Sequence, residues 1–200
     1  WTRGLSWCVA GFPEQLEFLA TLKDEELEPY GGRKEIEEVF TKAASAVCDF
    51  YLAHTTKDGI PFWDTGAPNL HKVGDYTQQT SDPYNPHEAV DSSSAAISSQ
   101  GLIRYGRYLG DAGEKYVQAG LTALNTILEE PYLSTDPEHQ GLILHSNYHV
   151  PNGWDQIHEG QSVVNGESCM WGDYHAREAA LYVQRLANDE PYYKFYLDPE

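Results

Sequence analysis

The sequence predicts an all-α domain whose helices form an inner and an outer ring, as in a helical barrel. Two segments are amphipathic with one apolar stripe, whereas three others are rich in small and apolar residues nearly all the way round. A helix with one apolar stripe keeps one wet face, and a helix that is apolar all round is buried on most sides. The two kinds alternate along the chain, which is the order that two concentric rings would give.

The buried kind of helix accounts for the first, third and fifth elements. They run from Arg3 to Leu22, from Asp91 to Leu109 and from Trp171 to Leu186. Pro13 lies inside the first of them. Because proline lacks a backbone N–H and clashes with the preceding turn, we expect that helix to kink or restart there.

The amphipathic kind accounts for the second and fourth elements. Between Lys34 and His54, apolar residues recur at steps of three and four, which indicates one buried stripe. The fourth helix begins at Asp111, where Asp-Ala-Gly-Glu supplies a capping residue and an acid three positions later, and it ends before Pro131.

Two long connections separate these helices, from Thr55 to Val90 and from Leu133 to Met170. Both are dense in Gly, Pro, Asn and aromatic residues, and connections longer than about 15 residues usually carry function or are disordered. Their many aromatic residues argue against disorder. Short extended pieces are predicted at residues 59–63 and 141–145.

The composition excludes several classes of protein. With 13 Lys plus Arg against 31 Asp plus Glu, the formal charge is −18, so nucleic acid is not a partner. No apolar run approaches the roughly 20 residues of a membrane-spanning helix, so a membrane is not an expected partner. The three cysteines form no metal-binding motif, and Cys8 and Cys48 are expected to be buried free thiols.

Each buried helix begins with a cluster of polar or aromatic residues that amphipathicity does not explain. These clusters are Trp1-Thr2-Arg3-Gly4-Leu5-Ser6-Trp7, Asp91-Ser92-Ser93-Ser94-Ala95-Ala96-Ile97 and Trp171-Gly172-Asp173-Tyr174-His175. In an inner ring, the three ends would line one mouth of the barrel. Free N–H groups and a partial positive charge at helix N-termini suit an anion such as a sugar carboxylate.

These clusters resemble, in order and approximate spacing, the C-terminal half of glycoside hydrolase family 88, the unsaturated glucuronyl hydrolases. The matching motifs are Thr2-Arg3-Gly4-x-x-Trp7, Asp91-Ser92-Ser93-x-Ala95-Ala96-Ile97 and Trp171-Gly172-Asp173-Tyr174-x-x-x-Glu178-Ala179, with Pro61-Phe62-Trp63-Asp64 and Leu144-His145-x-x-Tyr148 between them. The resemblance covers nearly the whole chain, apart from an apparent insertion from Leu70 to Pro86.

The resemblance implies an (α/α)6 six-hairpin barrel, of which residues 1–200 supply roughly the C-terminal half. It also implies hydrolysis of the unsaturated uronic acid at the non-reducing end of oligosaccharides made by polysaccharide lyases. In that chemistry an aspartic acid protonates the C4=C5 bond, water adds at C5 and the hemiacetal collapses. No metal or organic cofactor is implied. The family's two catalytic aspartates are expected upstream of Trp1, so the missing N-terminal half is the expected partner and this part alone is expected to be inactive.

The resemblance assigns substrate contacts to Arg3, Trp7 and Tyr148. Arg3 would form a bidentate pair with the C6 carboxylate, and Trp7, one turn later, would offer its ring to the sugar. Further candidates for lining the cleft are Trp63, Asp91, His149, Trp171, Asp173 and Tyr174. Asp91 is also the natural N-cap of its helix, and Asp173 and Tyr174 equally fit a role in organising the mouth.

Substrate preference is predicted from the stretch after Tyr148. Family members that accept sulphated glycosaminoglycan ends have a small cluster of Ser and Lys there. Residues 149–154 of this chain, His-Val-Pro-Asn-Gly-Trp, contain neither. The sequence therefore predicts a preference for unsulphated substrates.

Other functions remain open at this stage. A related six-hairpin family removes unsaturated galacturonic acid from rhamnogalacturonan, and residues 91–97 favour the glucuronyl enzymes over it. A non-catalytic sugar-binding helical protein is an alternative of another class. A metallohydrolase is a further one, prompted by eight His, but His145 and His149 lie in a predicted loop and suit scattered histidines better than a metal pair.

Overall fold

The computed structural model describes residues 1–196, and in them the chain forms seven α-helices and four short 3-10 segments. The α-helices are α1 (Thr2–Leu19), α2 (Asp24–Leu27), α3 (Arg33–Ala53), α4 (Leu70–Val73), α5 (Ser92–Leu109), α6 (Glu114–Ile127) and α7 (Met170–Ala187). The 3-10 segments are Glu28–Tyr30, Tyr76–Gln78, Gly110–Gly113 and Val150–Asn152. The predicted all-α class is therefore confirmed.

The predicted extended pieces form no strands within the described residues. Each contributes one isolated antiparallel bridge, Phe62 with Val90 and Leu133 with Ile143. None of the helices in residues 1–196 is both long enough and apolar enough to cross a membrane.

The five long helices pack in two layers. α5 packs against α1, α6 and α7, and α3 packs against α1. Every residue of α5 from Ser92 to Gly106 is buried, whereas α3 buries only Ala44, Cys48 and Tyr51. α1, α5 and α7 thus form an inner row, with α3 and α6 outside it, as the alternation of apolar patterns predicted.

The expectation that all three inner helices are buried on most sides is confirmed for α5, holds for α1 apart from Trp7 and Cys8, and is wrong for α7. α1 exposes Trp7, and α7 exposes Tyr174 and Leu181. The reason is position, because α1 and α7 stand at the two ends of the row and each has an inner-row neighbour on one side. Along α7, a groove of about 750 Å³ is lined by Met170 and Leu181 among others.

Two glycines allow the backbones of the layers to approach closely. A Cβ at Gly101 of α5 would lie 2.4 Å from the carbonyl oxygen of Val9 in α1, and one at Gly120 of α6 would lie 2.5 Å from the carbonyl oxygen of Ser99 in α5. Both distances are shorter than van der Waals contact allows. Glycine at these positions therefore sets how near α1 and α6 come to the central helix.

Two further local predictions are corrected. α1 continues through Pro13, which is buried within it, and does not restart there. Cys48 is a buried free thiol as predicted, and burial raises its pKa to about 12. Cys8 is exposed instead, because it follows Trp7 on the open face of α1.

Candidate functional site

The starts of α1, α5 and α7 meet at one end of the inner row. Nη1 of Arg3, in the first turn of α1, lies 3.7 Å from Oδ2 of Asp91, which precedes α5. The guanidinium carbon of Arg3 lies 4.6 Å from the centroid of the Trp171 ring, in the first turn of α7. The prediction that these helix ends share one mouth is therefore confirmed.

Asp91 is the N-cap of α5. Its Oδ1 accepts hydrogen bonds from the Ser93 N–H at 3.1 Å and the Ser93 hydroxyl at 2.6 Å, and its Oδ2 accepts one from the Ser94 hydroxyl at 2.8 Å. The residue has no exposed surface. The capping interpretation is confirmed, and Asp91 lies beneath the mouth instead of lining the cleft, because helix capping and Arg3 occupy its carboxylate.

Arg3 is buried, with 4% of its surface exposed, and it binds the main chain of the loop before α7. Nη1 donates to the carbonyl oxygen of Asn147, and Nη2 donates to that of Tyr148 at 2.5 Å. Nη1 also lies 3.4 Å from the Ser93 hydroxyl. Each terminal nitrogen thus holds one carbonyl oxygen and carries a second N–H, and the pairing of Arg3 with a sugar carboxylate stays a prediction.

The rings of Trp1 and Trp171 lie over the Arg3 guanidinium, and those of Tyr148 and Trp154 extend this group. We call Trp1, Tyr148, Trp154 and Trp171 the aromatic cluster. Tyr148 stacks on Trp171 with ring centroids 5.3 Å apart, and it contacts Trp154 at 5.4 Å. The ring of Trp1 lies over the Arg3 guanidinium at 4.9 Å. Trp1, Tyr148 and Trp154 are each about half exposed or more, which is unusual for a group of large aromatic side chains in contact.

Hydrogen bonds among its own residues stabilise the loop that carries Tyr148 and His149. The Asp155 carboxylate accepts hydrogen bonds from the backbone N–H of Tyr148 and, at 2.8 Å, from that of His149. Nδ1 of His149 accepts the N–H of Asn152 at 3.2 Å, and its ring lies 5.1 Å from Trp154. His149 therefore borders the aromatic cluster.

His145 belongs to the core of the loop region. It is buried, its Nδ1 accepts the N–H of Gly166 at 2.9 Å, and the rings of Tyr84 and Tyr132 meet it edge-on at 5.0 and 5.6 Å. Within residues 1–196, no group of three or more His, Cys, Asp or Glu side chains is arranged to hold a metal ion.

Trp63 and Asp173 stabilise the borders of the mouth. Trp63 donates from Nε1 to the Glu88 carboxylate at 2.8 Å, and its carbonyl accepts the Thr2 N–H at 3.0 Å, which fixes the start of α1. It also lines a groove of about 310 Å³ beside the His149 loop. Asp173 accepts the N–H groups of Leu142 and Ile143, both at 2.9 Å, so its carboxylate organises the mouth.

A second set of side chains lies one helical turn below. Trp7, four residues after Arg3, meets the ring of His175, four residues after Trp171, edge-on at 5.1 Å. Nδ1 of His175 lies 3.0 Å from Oε2 of Glu178. Tyr174 is exposed beside this pair, 4.9 Å from the His175 ring.

The sequence interpretation gave no role to His175 or Gln100. Nε2 of Gln100, on α5, donates to Oε2 of Glu178 at 2.5 Å. The spacing held a signal for His175, because steps of four from Arg3 on one helix and from Trp171 on the other place Trp7 and His175 on matching faces.

Two carboxyl groups of this inner face have pKa values displaced in opposite directions. Burial raises the pKa of Glu14, although the charge of Arg104, whose Nε lies 4.0 Å away, opposes it. Burial also acts to raise the pKa of Glu178, but hydrogen bonds from His175 and Gln100 outweigh it, and the net pKa is lowered. Glu178 is therefore held in its ionised form.

The fold is similar to that of solved glycoside hydrolases. The structure of unsaturated glucuronyl hydrolase from Bacillus sp. GL1, described as responsible for the degradation of glycosaminoglycan, is 25% identical, with a TM-score of 0.64 over 92% of this chain and 39% of that one. The enzyme from Streptococcus agalactiae is 21% identical, with a TM-score of 0.58 over 90% and 36%. One specific for heparin is 18% identical, with a TM-score of 0.60 over 92% and 40%.

Comparison of the sequence with protein-family models and with curated proteins finds no match. The chain spans about 39% of the length of the Bacillus enzyme, which agrees with the predicted correspondence to roughly the C-terminal half of a barrel. In three dimensions, the chain is similar to the unsaturated glucuronyl hydrolases, the family that its motifs resemble.

Proposed function

We propose that this chain forms part of the sugar-binding cleft of a glycoside hydrolase that removes unsaturated uronic acid from the non-reducing end of oligosaccharides made by polysaccharide lyases. The observation that carries the proposal is the exposed aromatic cluster over the joined starts of α1, α5 and α7. Aromatic faces suit the apolar faces of sugar rings, and helix N-termini suit a carboxylate. The likeness to unsaturated glucuronyl hydrolases supports the same function.

Trp7 and Tyr148 are the proposed sugar contacts. Tyr148 stacks on Trp171, and Asp155 accepts a hydrogen bond from the backbone N–H of Tyr148. The Tyr148 ring is therefore already fixed in position before a sugar binds. Trp7 is 41% exposed and lies one turn deeper. A ring fixed in place before binding costs little conformational entropy when the sugar arrives.

Arg3 is proposed to act from beneath these rings. Its guanidinium donates to the carbonyl groups of Asn147 and Tyr148 and contacts the rings of Trp1 and Trp171. From there it sets the position of Tyr148 and adds positive charge at the mouth. A bound uronate carboxylate gains from that charge, since the pair is partly shielded from water.

The proposed reaction needs a carboxylic acid that donates the proton, and we assign this role to no residue within 1–196. Protonation of the C4=C5 bond and addition of water at C5 give a hemiacetal, which opens and releases the remaining sugar. We propose that a further part of the barrel supplies the acid and covers the open faces of α1 and α7. The exposed Trp7, Tyr174 and Leu181 side chains support this, because soluble proteins rarely leave such surfaces uncovered.

The test is an assay of the full chain, meaning residues 1–200 together with the proposed part of the barrel that supplies the acid, on a disaccharide that ends in unsaturated glucuronic acid. Ultraviolet absorbance of the C4=C5 bond should fall as the substrate is consumed, and Trp7→Ala should weaken binding about tenfold. A matched substrate ending in unsaturated galacturonic acid should react more slowly. No loss of absorbance from either substrate, with sugar binding retained, would favour a non-catalytic sugar-binding protein instead.

Sulphation provides a second comparison on the same assay. Residues 149–154 contain one tryptophan and one histidine but no Lys or Ser, so a sulphate group gains no lysine partner there. We expect the unsulphated disaccharide to turn over faster than its sulphated counterpart. Faster turnover of the sulphated substrate would contradict the predicted preference.

A further inference from the structure

His175 and Glu178 form a hydrogen-bonded pair beside Trp7. Nδ1 of His175 lies 3.0 Å from Oε2 of Glu178, and Gln100 donates to that same oxygen. An ionised carboxylate only accepts hydrogen bonds. Nδ1 of His175 therefore carries the proton and donates it to Glu178, which fixes the orientation of the imidazole ring.

The opposite nitrogen of the ring is left for another partner. Once Nδ1 holds the hydrogen, Nε2 of the neutral ring bears a lone pair and accepts a hydrogen bond. Within residues 1–196, Nε2 makes no hydrogen bond to the protein. The side chain keeps 17% of its surface exposed and meets the half-exposed Trp7 edge-on, so an acceptor of fixed direction stands next to an aromatic ring.

The surroundings of His175 come from three helices. From α7 itself, Glu178 binds Nδ1 and Tyr174 packs on the ring; from α5, Gln100 lies 3.5 Å from Nδ1; and from α1, Glu14 interacts electrostatically with it. Tyr174 acts on the ring face, Glu178 and Gln100 act at Nδ1, and Glu14 acts through its charge. This arrangement matches what a sugar requires, which is an aromatic surface for the ring and a directed polar atom for one hydroxyl.

We propose that His175 is a further substrate-binding residue, whose Nε2 accepts a hydrogen bond from a hydroxyl group of the sugar that lies on Trp7. Glu178 and Gln100 are positioning residues that hold the imidazole for this contact. The inference rests on the proposed function, since it takes the same sugar into the same cleft. It adds a polar contact from α7 to the aromatic contacts at the mouth.

Two amide substitutions separate this role from a purely structural one. The side-chain amide of Asn reaches about as far as Nδ1, so His175→Asn keeps the bond to Glu178 and loses the acceptor at the Nε2 position. The amide of Gln reaches about as far as Nε2, so His175→Gln keeps an acceptor there and loses the bond to Glu178. A structural role and a binding role therefore predict opposite rankings of the two variants.

The experiment measures the affinity of the full chain for a disaccharide ending in unsaturated glucuronic acid, by calorimetry and by tryptophan fluorescence. We expect His175→Asn to bind about tenfold more weakly and His175→Gln to bind within about twofold of the unaltered chain. His54→Gln, at the end of α3, is the matched control and should change nothing. Thermal melting of each variant identifies any loss of folding.

Each outcome bears on one proposal or on both. Weak binding by the Gln variant with unchanged binding by the Asn variant would assign His175 a structural role and overturn the inference. Equal binding by both variants would overturn it as well, as would an equal loss in both. If the unaltered chain binds no unsaturated disaccharide, the proposed function fails together with the inference.

Discussion

The guanidinium of Arg3 lies 4.6 Å from the centre of the Trp171 ring, and this contact joins the first turn of α1 to the first turn of α7. Within residues 1–196, no backbone hydrogen bond joins these two helix starts to each other. Arg3 also binds two carbonyl groups of the loop that precedes α7. One buried side chain thereby joins α1, α7 and the loop before α7 at the mouth.

Replacing Arg3 with Lys should destabilise the fold even though the charge is kept. A lysine has one donor group on a flexible stem and lacks the planar fork that reaches the carbonyl groups of Asn147 and Tyr148 together. A buried carbonyl left without a partner costs about 1–3 kcal/mol. We therefore expect the free energy of unfolding of the full chain to fall by about 2 kcal/mol in urea titrations.

Arg107→Lys is the matched control for that change. Arg107 is exposed in the last turn of α5, and surface substitutions usually alter stability by less than about 0.5 kcal/mol. An Arg3 variant as stable as the Arg107 variant would mean that the bonds to the 147–148 carbonyl groups contribute nothing measurable.

Sequence patterns were sufficient to predict the long helices, but they could not predict which distant segments contact each other. The stripe from Ile36 to Tyr51 gives α3 because an amphipathic period is a local property. The partners of Arg3 at Asn147 and Tyr148 follow from how the loop folds back over α1, which no local pattern records. Trp7 and His175 likewise meet only because both end helices of the inner row border α5.

The errors of sequence interpretation have physical reasons as well. Pro13 was expected to make α1 kink or restart, but α1 does not restart there. The helix packs against α3 and α5, and tertiary packing outweighs local propensity. Asp91 combines a capping position with a charge partner, Arg3, and both draw it inward. To predict the burial of Asp91, one would have to know that α1 and α5 begin at the same end of the inner row.

The close approach of α1 and α5 predicts opposite effects for two glycine substitutions. At Gly101, a methyl group would meet the Val9 carbonyl at 2.4 Å, whereas at Gly11 of α1 no atom lies within 4 Å. Gly101→Ala should lower the free energy of unfolding by about 1–3 kcal/mol through overpacking. Gly11→Ala should raise it by about 0.5–1 kcal/mol, because alanine favours the helix.

Both glycine variants are compared in one urea titration series on the full chain. If Gly101→Ala were tolerated as well as Gly11→Ala, the two helices would have to lie further apart than the structure has them.

Residues 1–200 expressed alone should self-associate. Met170 is 86% exposed and Leu181 is 37% exposed, and both line the groove along α7. Large exposed apolar patches promote association. We expect species larger than a monomer in size-exclusion chromatography with light scattering, and we expect the double change Met170→Ser and Leu181→Ser to shift them toward monomer.

The control for that experiment is Val39→Ser on the wet face of α3. Val39 is also exposed but lies away from α7, so this variant should associate as the unaltered fragment does. A stable, cooperatively melting monomer of residues 1–200 would contradict the proposal that a further part of the barrel covers this face.

Burial of His145 predicts that stability falls in mild acid. Burial lowers the pKa of His145 to about 4, below the value of about 6.5 for an unperturbed histidine. Between these values the unfolded chain binds a proton that the folded chain does not, so this contribution is complete above pH 6.5 and is lost as the pH falls toward 4. It amounts to about 2 kcal/mol between pH 7 and pH 5. Urea titrations across that range should show the loss, and His145→Asn, which tolerates the positive φ of 63°, should show a smaller one; equal slopes in the two proteins would rule out His145 as the source.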